Sequence, residues 1–277
     1  QFAYANAWDG ELPTAPIKRG LHRMKIVVAG YGPVGQAIAE ALTDRDIQIL
    51  IDDPPKGHDP FNYYGKDVDG VVVCVATPQR DDGTCNTDNV RDVFEKYRGV
   101  KFLIKSAVDP VWLNSVAPRH DLTYSPEFLA SSNVNRNPTE EFLNQTYAIY
   151  GGDSPRWWDE LFRPSLPYLT EVKYCTLEQA SFAKYVENCF LATKVTFFNE
   201  MYEIYNELGF KGFDQMVDAI TIDPRIGRSH TQVPGPDGKH GWGGHCLPKD
   251  MNAMKYFSKG APLIETVIEQ NERHRAK

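Results

Sequence analysis

The feature that most constrains the fold is GYGPVG at positions 30–35, set between the apolar stretch MKIVVAG and a helical pattern running from Pro33 to about Leu42. Strand, tight turn and helix in that order put Gly30, Gly32 and Gly35 in the G-x-G-x-x-G spacing of a dinucleotide-binding turn. The first glycine permits the turn, the second lets the backbone approach a pyrophosphate, and the third lets the helix pack close on the strand. The helix start, with Pro33 and Val34, then faces the anion. A second apolar run, IQILID, ends in Asp52, about 20 residues on, where a carboxylate accepts ribose hydroxyls and repels a 2′-phosphate. NAD is therefore expected as the cofactor. Asp53 is adjacent and suits the same task.

Further apolar runs, VDGVVVCVATP, VKFLIKSAV, LTYSPEF and QTYAIYGG, alternate with helical patterns such as TDNVRDVFEKY. Continuous apolar strands are covered on both faces, so residues 24–170 are predicted to form an α/β domain, a doubly wound, mostly parallel Rossmann-like sheet that binds NAD. Beyond it the texture turns helical. The stretch TLEQASFAKYVENCFLATKVTFFNEMYEIYNELG has few breakers before Gly209, GFDQMVDAITI stops at Asp223-Pro224, and helices flank Gly260. Residues 171–277 are read as a mostly helical domain. Residues 1–23 have no period, precede Met24, and are read as a leader or remnant without function.

A net charge of -7 with acids and bases interspersed argues against general affinity for nucleic acid or anionic membranes. The five scattered cysteines lack CxxC spacing, which points away from a disulfide framework or a metal site and toward reduced thiols in the cytoplasm. No run is apolar enough to cross a bilayer.

Two segments of the helical part carry chemistry. Lys184 and Asn188 lie four residues apart and share one helix face. In GWGGHCLPKD, Gly243 and Gly244 let the backbone fold closely around a ligand, and Cys246 precedes an expected helix start at Pro248, where helix amides favour a thiolate. Asp250, four residues on, shares that pocket. Taken singly, Lys184 reads better as a solvent-reaching stem, Asn188 as a surface or interhelical hydrogen-bonder and Cys246 as a small buried residue. Cys74, Cys85, Cys175 and Cys189 are read as structural.

Together with SPEFL at 125–129 and DPRIG at 223–227, these segments resemble the UDP-glucose/GDP-mannose dehydrogenase family from Met24 to the C-terminus. GGHCLPKD is similar to that family's GGSC-(F/L)-PKD loop. The resemblance implies a four-electron, NAD-dependent oxidation of a nucleotide sugar to its uronate through a cysteine thioester, with UDP-glucose the first candidate and GDP-mannose the second. It implies Cys246 as nucleophile, Glu127 as general base for the hydrolytic water, Lys184 and Asn188 as stabilisers of negative charge on the reacting oxygen, and Asp250 as water orienter or proton relay. It further implies Thr77 at the cofactor and Phe128, Leu129, Arg225 and Gly243 at the sugar nucleotide. Arg225 would reach the neighbouring subunit's substrate, so a homodimer across the long central helix is expected.

Departures from the family pattern are Ala107 in place of a threonine, Ser131 in place of a glutamate, a short stretch between Asp52 and Val71, and no second nucleotide-binding domain before Lys277. The competing expectations are a dimeric NAD-binding module that needs a partner to bind sugar nucleotide, and a 3-hydroxyacid dehydrogenase relative, which has no use for the GGHC loop.

Overall fold

A computed structural model describes residues 23–43, 45–60, 63, 67–127, 137–258 and 260–277. The strands are β1 (Met24–Ala29), β2 (Ile47–Asp52), β3 (Gly70–Val73), β4 (Lys101–Ile104), β5 (Asp121–Tyr124), β6 (Tyr147–Gly152) and β7 (Glu171–Cys175). They form one sheet in the order β2-β1-β3-β4-β5-β6-β7. β2 through β5 are mutually parallel, β6 runs antiparallel to β5, and β7 runs parallel to β6. The central strands have no exposed face: Val27, Val28, Val71, Val72, Phe102 and Leu103 are all fully buried. That is why they read as unbroken apolar runs.

Helix α1 (Pro33–Thr43) crosses from β1 to β2, and the chain then passes to β3 on the other side of β1. Strand order reverses there, and in such sheets the crevice at the carboxyl ends beside the reversal is the usual ligand position. The short stretch after Asp52 has a direct structural counterpart, since among the described residues β2 is the sheet edge. The remaining covering helices are α2 (Asp88–Lys96), α3 (Pro110–Val116), α4 (Pro138–Leu143) and α5 (Pro155–Phe162). Asp109 caps α3 and Asn137 caps α4 through side-chain bonds to backbone amides.

β7 lies where the sequence reads as helical. Its residues EVKYC are all exposed or half-buried, as in an outer strand, and leave no apolar run to recognise.

The helical part is built on α6 (Leu177–Glu207), which is 31 residues long. Its start is fixed by a capping box in which Thr176 and Gln179 satisfy each other's backbone amides. Gly151 lets α6 sit against β6, since a Cβ there would lie 2.2 Å from the Thr176 carbonyl oxygen. Helices α7 (Phe213–Ile220), α8 (Cys246–Phe257) and α9 (Pro262–Arg275) pack on α6. Tyr185, Cys189, Ala192, Trp242, Met251 and Met254 form the core under α8 and α9. Helix α8 begins at Cys246, two residues before the expected start. Pro248 falls in the first turn, where a missing N–H breaks no helical hydrogen bond.

Candidate active site

The glycine turn has the geometry its spacing predicts. Gly30 has φ +90, and a Cβ there would lie 2.6 Å from the Cys74 carbonyl oxygen. A Cβ on Gly35 would lie 2.0 Å from the Gly30 carbonyl oxygen, so this glycine allows α1 to close on the turn. At Gly32 a Cβ would meet nothing within 4 Å, leaving room for a ligand at the middle position. Pro33 and Val34 open α1 beside it. This is a cradle shaped for a pyrophosphate, so the residues present fit a dinucleotide.

The two acids at the end of β2 divide their tasks in a way the sequence left open. Asp52, expected at the ribose, has a side chain only 2% exposed and is engaged inside, with Lys96 Nζ at 3.3 Å and the Tyr97 hydroxyl donating to it at 3.0 Å. Asp53 turns toward the glycine loop and accepts the Tyr31 N–H at 2.7 Å. A tight turn places His58 against the Tyr31 ring at 5.3 Å and Lys56 beside the Tyr31 carbonyl. Asp53 is thus the carboxylate that reaches the glycine loop, while Asp52, the last residue of β2, points inward.

On the helical side, α6 and α8 bring Asn188 and Asp250 together. The Asn188 amide donates to the Asp250 carboxylate, and both groups are buried. Lys249 closes the cluster, with its Nζ 2.6 Å from Asp250 and 3.4 Å from the Ala107 carbonyl oxygen. That carbonyl also accepts the Thr77 hydroxyl at 2.7 Å and a longer contact from the Cys85 thiol at 3.5 Å. Ala107 offers no side-chain hydroxyl, yet its main-chain oxygen joins the sheet to α8. Cys246 stands one helical turn before Asp250, at the first residue of α8, and is exposed. The other cysteines differ: burial pushes the thiols of Cys74, Cys85, Cys175 and Cys189 above their usual range, Cys189 to about 12.

Glu127 lies on the sheet side of the same region. Its carboxylate is 3.4 Å from Lys105 Nζ, and Lys105 donates to the Ser125 hydroxyl at 3.1 Å. Tyr124 links the two groups of residues. Burial holds its hydroxyl protonated far above the usual range, and Asp250, Cys85 and Glu127 add to that effect. Lys184 pairs with Glu187 at 2.8 Å on its own helix, and the hydroxyl of Tyr147, raised chiefly by burial, feels both Glu187 and Glu127.

The loop before Cys246 is clamped by buried polar groups. Asn199 on α6 accepts the Gly241 N–H at 2.9 Å, Asn271 on α9 accepts the Trp242 N–H at 2.7 Å and returns a bond to its carbonyl, and Thr196 accepts the Trp242 indole N–H. Gly243 faces the Arg275 guanidinium, which a Cβ would approach to 2.9 Å.

Arg225 is not with this cluster. It pairs with Asp223 at 2.6 Å and borders an apolar groove along α6 with Phe190, Phe197 and Ile220. Lys194 fixes its turn by donating to the Ile226 and Gly227 carbonyls at 2.7 and 3.0 Å. Phe128, Leu129 and Ser131 lie outside the described residues.

Sequence reasoning assigned no role to Lys105, Lys249, Asn199 or Asn271. Lys105 carried a usable signal, a lysine inside the apolar strand run VKFLIKSAV, since a buried ammonium needs a partner. The two asparagines sit singly within long helical stretches, with no motif around them, and carried none.

Residues 178–273 match the model of the UDP-glucose/GDP-mannose dehydrogenase family, central domain. Among curated proteins, the chain is 28% identical over 226 residues to UDP-glucose 6-dehydrogenase TuaD of Bacillus subtilis, covering 75% of this chain and 47% of that protein. It is 30% identical over 232 residues to UDP-glucose 6-dehydrogenase YwqF of the same organism, covering 75% and 49%. The chain spans about half the length of these relatives. A solved UDP-glucose dehydrogenase from Pyrobaculum islandicum superposes with a TM-score of 0.70 at 22% identity, covering 94% of this chain and 70% of that one. A 3-hydroxyisobutyrate dehydrogenase from Mycobacterium tuberculosis gives 0.66 at 17%, covering 92% and 95%. These two superpositions speak to the fold, which both dehydrogenase types share. The sequence matches decide between them: the chain belongs to the UDP-glucose/GDP-mannose dehydrogenase family.

Proposed function

We propose that the protein oxidises the primary alcohol of a nucleotide sugar to a carboxylate, with NAD as oxidant and Cys246 as the covalent nucleophile. UDP-glucose is the first substrate to test, because the curated relatives carry that name, and GDP-mannose the second. The observation that carries the reading is the buried Asn188–Asp250–Lys249 cluster one helical turn from the exposed Cys246.

NAD would be held by Gly30, Gly32, Pro33, Val34 and Gly35, with Asp53 at the loop and Thr77 nearby, and two NAD bound in succession would each accept one of the two hydrides that leave the sugar carbon. The chain's own residues do the rest. After the first oxidation the Cys246 sulfur adds to the carbonyl carbon, and Lys184 and Asn188 stabilise the charge on its oxygen. After the second, the sugar carbon is held as a thioester. Glu127 takes a proton from the attacking water, the carbon–sulfur bond breaks, and the Cys246 thiolate is returned. Asp250, fixed by Asn188 and Lys249, orients the groups around that water. Reduced thiols suit a cytoplasmic setting.

The working unit in this reading is a homodimer in which residues 24–170 bind NAD and residues 171–277 form the partner contact. Phe182, Val186, Phe190, Phe197, Ile204 and Leu208 on α6 are each more than 40% exposed, and with Thr193 and Met201 they repeat every three or four residues, as the seam between two packed helices does. Arg225 borders this groove, where it can reach a substrate held by the second copy. Glu127→Gln incubated with NAD and UDP-glucose tests the chemistry. Intact-mass spectrometry is expected to show the chain carrying one nucleotide-sugar acyl group on Cys246, and an unmodified chain after NADH formation contradicts the covalent route.

A further inference from the structure

Lys105 is a buried charge that the proposed reaction does not use. Its side chain is 5% exposed, and it extends from the carboxyl end of β4 beneath the Phe142 ring, 5.6 Å from the ring centre. Burying an ammonium is costly unless it is paired, so its partners define its role. One is the hydroxyl of Ser125, itself 1% exposed, at 3.1 Å. The other is Glu127, 10% exposed, at 3.4 Å. The Glu127 charge is felt by Tyr124, Tyr150 and Cys74, and burial keeps all three protonated and neutral.

The position of Lys105 in the strand gives the pair a consequence. Lys105, Ser106 and Ala107 are consecutive. Lys105 holds Glu127, the Ser106 hydroxyl donates to the Val75 carbonyl at 2.7 Å, and the Ala107 carbonyl accepts Thr77 and Lys249. One strand end therefore anchors the carboxylate on the sheet side and the Lys249–Asp250 cluster on α8. A water attacking at Cys246 needs both in fixed relation.

We infer that Lys105 is a positioning residue for thioester hydrolysis: with Ser125 it holds the Glu127 carboxylate at the site and acts on the reaction only through that carboxylate. This rests on Glu127 being the base of the proposed reaction. The experiment is rapid-mixing kinetics of the full chain with saturating NAD and UDP-glucose, separating the initial burst of NADH from the steady rate that follows. Lys105→Gln is expected to keep the burst and to slow the steady rate by about 10² or more, the scale of a lost general base. Lys105→Arg is expected to restore most of that rate. In the Glu127→Gln background, Lys105→Gln should cost nothing further, because the group it serves is gone.

A wild-type steady rate in Lys105→Gln, or an equal loss of burst and steady rate, overturns the inference. A wild-type steady rate in Glu127→Gln overturns the reading of Glu127 itself, so the two failures are distinct. Lys105→Gln leaves a buried carboxylate facing a neutral partner, and unfolding is the risk. Ser125→Ala keeps both charges and removes only the hydroxyl that holds the ammonium, so it carries the same comparison in a folded chain. A slowed steady rate after an intact burst is expected, and an unchanged one overturns the proposal.

Discussion

At the β1–α1 turn the decisive atoms belong to the main chain: a Cβ on Gly30 or Gly35 would strike backbone, while a Cβ on Gly32 would meet nothing within 4 Å. At the junction of α6 and α8 the decisive atoms belong to side chains, with Asn188 and Asp250 bonded out of solvent and the half-buried Lys249 paired to Asp250. The first site is a shape and the second a charge arrangement, and they fail differently when altered. A shape is lost to any added atom. A buried charge cluster is lost when one member is removed, since the partner's desolvation is left uncompensated.

The largest effect is expected at the second site. Asp250→Ala strands Lys249 and Asn188 and should cost about 3–5 kcal/mol of stability, read from the denaturant midpoint. Activity should be lost at temperatures where the variant remains folded. A variant as stable as wild type would mean that the cluster is not held as described.

The first site divides into two halves that should separate cleanly. Gly35→Ala brings a Cβ to 2.0 Å from backbone oxygen and should cost about 1–3 kcal/mol as well as NAD binding. Gly32→Ala meets nothing within 4 Å and should leave stability within about 0.5 kcal/mol while weakening NAD in a calorimetric titration. Equal behaviour of the two would break the distinction between packing and ligand space.

That same division explains what could be read in the sequence. The central strands were legible because burial on both faces demands unbroken apolar runs, and the glycine turn because its steric needs admit one residue type. The start of α6 was legible in a breaker-free stretch. β7 was not, since an exposed outer strand has no apolar run to display. The acid at the ribose was resolved only to a pair, because one residue decides whether a side chain at a strand end points inward or toward the loop. Cys246, Asp250 and Asn188 were found through their resemblance to a family loop and helix. Lys105 and Lys249 stand inside the segments VKFLIKSAV and GWGGHCLPKD, and the groups that fix their places across the fold, Glu127 for the first and the Ala107 carbonyl for the second, come from other parts of the chain.

The acid pair offers a smaller test. Asp53→Asn should weaken NAD by about tenfold, or 1.4 kcal/mol, with little change in melting temperature. Asp52→Asn should do the reverse, lowering stability through Lys96 and Tyr97 while NAD binding is kept. Exchanged outcomes would return the cofactor role to Asp52.

The smallest effect lies at the far end of α6, where His274 is fully buried against Glu203 at 2.7 Å. Burial pushes the His274 pKa below its usual value, although Glu203 opposes the shift. An unfolded chain therefore binds a proton that the folded chain refuses, and stability falls as pH drops through the ordinary histidine pKa of about 6.5. His274→Gln should flatten that slope in melts between pH 7.5 and 5.5, a range chosen to span about 6.5. A slope unchanged by the substitution would assign it elsewhere, His120 and His230 being the other described histidines that burial shifts downward.

The central claim is that one exposed thiol lets a single site carry a substrate through two oxidations. The direct test is the amount of NADH formed per UDP-glucose consumed, for wild type and for Cys246→Ser. About two NADH per sugar for wild type, with no uronate released by Cys246→Ser, is the predicted result. One NADH per sugar from wild type, or complete oxidation by Cys246→Ser, would contradict it.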